Sequence, residues 1–393
     1  MSYALKTPLV SAPSGSLIRQ IECPTVYYTP PKIVELEKMP PDIAKLMVKI
    51  WQNSVHAGRN IDIYVLKNVF VSNEGLVFDE NTHLIACTRT LHSDEQIDSS
   101  AEAVRSIRDR EGVRAIRKAV LAKSRGAENY GHFLIEMLTR AWFARTYLAL
   151  TDWPVLIHES TVAIRKVAIQ AIQQAGYDRD QILTCGQEPV FLQELIYVDG
   201  LASHSQYISP YVMQCLDAVA DDVQAGTASM IYVPRRPAPT RDFVNERQIS
   251  AALVADGFSE VTTASLDFRD QIAAFKGAST VVGSMGAALT NLVFCRPGTD
   301  VFVFMPSSAA EVLFWMISQI RRLNYCEIRT KETGPQTGPL PWDRALDIPP
   351  RQLARIVAGK DRGLLERFGW HPPHGIGDVM RQIVRRRFVG GAA

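Results

Sequence analysis

From Pro154 onward the sequence repeats one pattern, a short apolar run followed by an amphipathic stretch of helical period. "PVLIHE" leads to "TVAIRKVAIQAIQQAG", which stops at Gly176, and then come "QILTCG" and "ELIYVDGL". After a helix-like segment at 209–224 the pattern restarts as "SMIYVPRR", "NERQISAALVADGF", "SEVTTA", "DFRDQIAAFKGA", "STVVGS", "GAALTNLVF" and "TDVFVFMP". Strands separated by helices of this length do not pair as hairpins; they form parallel sheets with crossovers. The fold class is therefore α/β, with two doubly wound domains predicted on either side of residue 205.

The flanks read differently. Residues 1–60 are rich in proline, and only "PDIAKLMVKIWQ" has a helical pattern. Residues 61–92 alternate between turns at Asn-Glu-Gly and Asp-Glu-Asn, the mark of a β-meander. Residues 101–123 read as a basic helix running into a strand. The predicted units are 1–205, 206–330 and a C-terminal extension, 331–393, expected to pack back on the first domain. A chain of 393 residues, 47% of them hydrophobic, exceeds what one core usually serves.

Composition excludes several functions. A formal charge of +2 provides no field for nucleic acid. The six cysteines are scattered with no CxxC pair, which argues against a zinc ribbon or redox motif and suits a reduced cytosol. The N-terminus lacks the apolar core of a signal peptide, and no apolar run reaches the length of a membrane span. A soluble, cytoplasmic protein is expected. The basic "RQIVRRRF" reads either as a solvated helix end or as a peripheral contact with an anionic membrane. "DRD" at 178–180 reads as a turn or cap rather than a metal motif, and "HPPH", with His371 and His374, as a loop.

Three stretches carry chemistry. In "ENYGHFLIEMLTRAWF", a helical projection puts His132, Glu136, Thr139, Arg140 and Phe143 in one stripe on an otherwise apolar helix. Such a helix is buried, and its polar stripe must face a cleft or find buried partners. His132 and Glu136, four residues apart, can form a base pair for proton abstraction, or simply a structural contact oriented on Arg140. In "IYVPRRPAPTRDFVNE", a strand delivers Arg235 and Arg236, with Arg241 close behind, to a loop stiffened by prolines. Arginines beyond a strand's carboxyl end can fork onto phosphate oxygens, although a solvated loop has the same composition. In "STVVGSMGAALTNLVFCRPGT", Gly283 and Gly286 follow a strand, and Thr290 and Asn291 are polar positions on a short apolar helix. The spacing fits neither the dinucleotide fingerprint nor a P-loop, so close packing explains the glycines as well as a phosphate does.

Together these stretches resemble glycosyltransferase family 61, a family with bacterial capsule and exopolysaccharide enzymes, plant xylan-modifying enzymes and animal protein O-glycosylation enzymes. The matching segments are "NYGHFLIEMLTR", "IYVPRR…R…NE" and "DQIAAFKGASTVVGSMGAALTNLVFCRPGT", within residues 60–305. The resemblance implies a GT-B-like architecture: two Rossmann-like domains with the active site between them, and an N-terminal β-rich region. It implies inverting transfer from a nucleotide-sugar, often a UDP-sugar, to a glycan or glycolipid; no tightly bound cofactor is expected, and dependence on a divalent metal is left open. Carried over as donor-site residues are Arg235, Arg236, Arg241, Gln271, Gly283, Ser284, Met285, Gly286, Ala287, Thr290 and Asn291. His132 and Glu136 match the segment N-x-x-H-x-x-x-acid, where other members often carry Asp; Asn129, Tyr130 and Arg140 fall on the acceptor side. The competing expectation is a non-catalytic nucleotide- or glycan-binding scaffold.

Overall fold

The meander, the helices and the alternating strands all form, and they build two large sheets. The computed structural model describes residues 4–110, 112–235 and 240–348, and within them the fold is mixed α/β. In the first sheet the long strand Ile61–Val71 pairs antiparallel with Val190–Asp199, Val77–Phe78 and Leu17–Ile21. Beyond Val190–Asp199 the strands Ala115–Ala122, Val155–His158 and Ile182–Cys185 run parallel. A Ser93–Gln96 capping box starts helix Asp94–Arg108, which leads into strand Ala115–Ala122.

The second sheet is parallel throughout. Its order is Ser259–Glu260, Met230–Val233, Thr280–Ser284, Asp300–Pro306, Asn324–Thr330 and Lys32–Val34. The crossovers carry helices Glu246–Ala255, Phe268–Gly277 and Leu313–Arg321, and the 3-10 helix Ala287–Phe294. Chain direction across the sheet reverses between Met230–Val233 and Thr280–Ser284. In open α/β sheets ligands bind beyond the carboxyl ends of strands at such a reversal.

Several expectations need correcting. The alternation does not stop at Pro306: Leu313–Arg321 and Asn324–Thr330 add another helix and strand. Lys32–Val34, from the proline-rich N-terminal region, forms the edge of the second sheet through the register Cys326↔Lys32. The extension does not return to the first sheet over its described part. Strand Ala345–Leu346 pairs with Glu332–Thr333, and Leu346 packs with Phe243, Phe304 and Ile328 on the second. Residues 349–393, with "RQIVRRRF", His371 and His374, lie outside the described residues.

One apolar cluster joins the sheets. Ile61, Val120, Ile157 and Ile196 of the first connect through helix residues Leu134, Leu138 and Leu216 to Val233, Val281 and Val303 of the second. Leu134, Leu138 and Phe143 are fully buried. Each such side chain contributes roughly 1.5–3 kcal/mol by leaving water, which pins the helix that carries His132.

Candidate functional site

Strand Ala115–Ala122 ends at the buried Lys123, and a turn through Gly126 enters the helix. Gly126 has φ +76°, and a Cβ there would lie 2.9 Å from Cδ2 of His132. Both the backbone and the ring therefore call for glycine. Asn129 caps the helix by accepting a hydrogen bond from the Gly131 amide at 2.8 Å. The helix is α at Tyr130–His132, π at Phe133–Met137 and α again at Leu138–Tyr147. Such π turns concentrate at functional sites. Across this one, His132 Nδ1 and Glu136 Oε1 stand 3.1 Å apart.

The rest of the predicted stripe turns inward. Thr139 donates to the Ile135 carbonyl at 2.5 Å, Phe143 is fully buried, and the Arg140 guanidinium lies 5.3 Å from the centroid of the Tyr197 ring. Only the first turn of the stripe opens on a recess, where Thr90, Leu91, Arg125 and Ser203 join it.

Two further residues complete this cluster. His204, in the turn between strands Ala202–Ser203 and Tyr207–Ile208, stacks on His132 with ring centroids 4.1 Å apart and planes 28° off parallel. Its Nε2 lies 3.5 Å from Oε2 of Glu311, in the loop after strand Asp300–Pro306. The other Glu311 oxygen accepts from Ser205 Oγ at 2.6 Å and from the Val312 and Leu313 amides at 2.8 and 2.7 Å. Burial pushes the Glu311 carboxyl up, but His204, Ser205 and the Leu313 amide outweigh it and hold it at about 2. Burial likewise raises Glu136, and His132, Arg140 and His204 more than offset it, leaving that carboxyl below its usual value. Both acids are ionised at neutral pH.

His132, Glu136 and His204 each present a ligand atom within 4.8 Å of the others, a grouping that a metal ion can use. The fit is poor. Nearly parallel stacked rings aim their in-plane lone pairs side by side rather than at one point. Glu136 also occupies Nδ1 of His132, and Glu311 lies against Nε2 of His204. The arrangement suits proton handling better than coordination.

The second cluster forms where the second sheet reverses. Arg235 follows strand Met230–Val233, and Gly286 follows the neighbouring Thr280–Ser284. A Cβ on Gly286 would lie 1.9 Å from Arg235 Nη1, so this glycine makes room for the guanidinium. Its φ of 176° is ordinary extended backbone. Arg235 is also held by the Thr240 carbonyl, at 3.2 Å from Nε and 3.1 Å from Nη2. Burial, then Arg241, lower its pKa to about 10, against the pull of Asp343 and Asp242. Arg241 pairs with Asp343 at 3.3 Å. Arg236 lies outside the described residues.

The other residues of the turn divide by role. A Cβ on Gly283 would meet Leu289 Cδ2 at 2.9 Å and Val233 Cβ at 3.3 Å, so that glycine serves packing. The Met285 amide is bonded to the Phe304 carbonyl at 3.0 Å, so it is not free to bind a donor phosphate. Ala287 begins the 3-10 helix. Ser284 Oγ and Thr290 Oγ1 are buried with no hydrogen-bond partner among the described residues. Asn291 is fully buried; its Oδ1 accepts from Tyr130 Oη at 2.7 Å, and its Nδ2 donates to Gln271 Oε1 at 3.1 Å. A Cβ on Gly131 would lie 2.6 Å from Thr290 Oγ1. The two clusters are thus joined through the start of the His132 helix. Thr290 is four residues on from Gly286, roughly 8 Å along a 3-10 helix.

The sequence reading did not find Arg125, His204 or Glu311. No periodicity links residues so far apart; for His204 and Glu311 the only local mark is a polar residue beside an apolar strand.

Fold and site define a mixed α/β protein whose polar groups gather at the carboxyl ends of parallel strands. Residues 130–302 match the family model described as Glycosyltransferase 61, and the match supports membership of that family and, with it, transferase activity. No curated protein matches the chain. The matched segment holds the His132 helix, His204, the arginine loop and the glycine turn; Glu311 lies beyond it.

Proposed function

We propose that the chain transfers a sugar from a nucleotide-sugar, a UDP-sugar, to a glycan or glycolipid acceptor with inversion, on a GT-B-like pair of Rossmann-like domains. The observation that carries this reading is Arg235 lodged against Gly286 where the second sheet reverses. A buried cation beside the start of a helix is built for a diphosphate. Ser284 and Thr290, whose hydroxyls lack partners, add donors or acceptors for the same ligand.

In this mechanism Glu136 holds the Nδ1 hydrogen of His132, leaving Nε2 to accept the proton of the acceptor hydroxyl. The acceptor oxygen bonds to the anomeric carbon on the face opposite the leaving group. The carbon–oxygen bond to the diphosphate breaks, and its electron pair stays on the phosphate oxygen. Arg235, Arg241 and Arg236 neutralise that charge as it develops, with the amides of Gly286 and Ala287. Such groups can take the place of a divalent ion, so the reading does not require one.

The setting this reading implies is bacterial capsule, exopolysaccharide or other surface-glycan synthesis. The protein would be cytoplasmic, with the basic C-terminus as a peripheral contact at the inner membrane. No helix among the described residues is long and apolar enough to cross a membrane.

The test is release of nucleoside diphosphate from a panel of UDP-, GDP- and CMP-linked sugars, with and without glycan acceptors. One donor class should be consumed. Arg235→Ala should lower turnover by ~10²–10³ while the protein stays folded. Full activity in both Arg235→Ala and Arg241→Ala would remove the phosphate assignment. Near-normal turnover in His132→Ala would remove His132 as the base, and near-normal turnover in Glu136→Gln would remove the role of Glu136 in orienting it.

A further inference from the structure

The His132–Glu136 pair lies on the first sheet's helix, yet its setting is completed from the second sheet's side. Three facts bear on this. His204 covers one face of the His132 ring at a centroid distance of 4.1 Å. His204 is in turn held at 3.5 Å by Glu311. Glu311 is itself fixed by three hydrogen bonds, from Ser205 and from the Val312 and Leu313 amides. Three hydrogen bonds on Oε1 fix the carboxylate and leave Oε2 turned to His204.

The Glu311 loop is rigid for a separate reason. Arg329, fully buried in strand Asn324–Thr330, donates to the Pro306 carbonyl at 3.2 Å and to the Ala309 carbonyl at 2.7 Å. Its charge is balanced by Glu327 at 2.5 Å. The loop that presents Glu311 is therefore clamped from beneath, and Glu311 has little freedom to follow a moving histidine.

We propose that His204 and Glu311 are positioning residues for the base: Glu311 orients His204, and the His204 ring fixes the plane of His132 so that its Nε2 faces the acceptor hydroxyl. The proposal rests on the reading of His132 as base. The stacked His204 ring and the close approach of Gly126 confine the imidazole, and Glu136 sets its rotation. A base must stand within hydrogen-bond reach of the proton it takes. Misplacement by about 1 Å can cost ~10²-fold in rate. The charged groups around the pair are Glu136 and Arg140 from its own helix, Arg125 from the preceding turn, and Glu311 with Arg241 from the second sheet's loops. None of them can replace a stacked ring.

The experiment measures kcat and donor KM for His204→Ala, His204→Phe and Glu311→Gln beside His132→Ala. His204→Ala and Glu311→Gln should lower kcat by ~10–100-fold with donor KM within about two-fold, because in this proposal both act on the base. His204→Phe keeps a stacked ring and should recover part of the loss seen in His204→Ala. A second readout needs no substrate and survives a loss of activity. In ¹⁵N-histidine spectra of the whole protein, Glu311→Gln should move the ring resonances of His132 as well as those of His204.

Wild-type kcat in both His204→Ala and Glu311→Gln, with His132→Ala inactive, would overturn the positioning role and leave the base intact. Unmoved His132 resonances in a folded Glu311→Gln would overturn it too. Retained activity in His132→Ala would remove the base and the positioning role together.

Discussion

At the scale of single residues, the two glycines of the "GSMG" turn do opposite work. A methyl group at 286 meets only the far end of Arg235, at 1.9 Å from Nη1, and that flexible end can move aside. A methyl group at 283 meets Leu289 and Val233 inside the core, at 2.9 and 3.3 Å, where nothing yields easily. Gly286→Ala should therefore leave the melting temperature within a few degrees and weaken donor binding by roughly ten-fold, since the guanidinium loses its seat. Gly283→Ala should destabilise by about 1–3 kcal/mol, the usual effect of overpacking, with donor affinity preserved in the folded protein. Urea denaturation and donor titration of the two variants check this; the reverse pattern would reassign the glycines. The sequence showed the pair but could not divide it, because the division depends on which side chain each glycine faces. His132 and Glu136 were legible because four residues along a helix bring side chains together. His204 and Glu311 were not, because only the packing of the two sheets brings them to His132.

At the scale of elements, the helix through Tyr130–His132, Phe133–Met137 and Leu138–Tyr147 is tied at its first turn to the 3-10 helix Ala287–Phe294. The tie is Tyr130 Oη to Asn291 Oδ1, buried and 2.7 Å long. Tyr130→Phe removes the donor and leaves a buried amide oxygen unsatisfied, which costs about 1–3 kcal/mol. Thermal and urea unfolding of Tyr130→Phe should show that loss, and the variant should also turn over more slowly as the first turn loosens. Unchanged stability would mean that the tie is made elsewhere. Most elements could be read from period and punctuation, as with helix Val162–Gln174 ending before Gly176. The exceptions have physical causes. Strand Asn324–Thr330 carries the charged Glu327 and Arg329 fully buried, which breaks the apolar signature of a parallel strand. Lys32–Val34 has three residues after two prolines, and its pairing partner lies near the other end of the described chain. The π turn shares its residues with an ordinary helical pattern, so composition cannot announce it.

At the scale of the whole molecule, one apolar cluster joins the sheets, and Glu311 links the second sheet's loop to His204 and, through stacking, to the first sheet's helix. Domains that share a core melt together, so unfolding should be a single calorimetric transition. Glu311 then makes the stability of the whole unit depend on acid. Its carboxyl titrates at about 2 in the folded protein, against an ordinary 4.5. A depressed carboxyl pKa stabilises the folded state fully above the unfolded value, and that contribution disappears as pH falls through the folded one. It amounts to about 2–3 kcal/mol while His204 carries its proton, allowing for partial exposure of the side chain. The gap between wild type and Glu311→Gln in urea-unfolding free energy should therefore narrow steadily as pH falls from 4.5 to 2. Parallel stability curves across that window would show that the Glu311 charge does not stabilise the fold. Two separate transitions would show that the shared core does not couple the sheets.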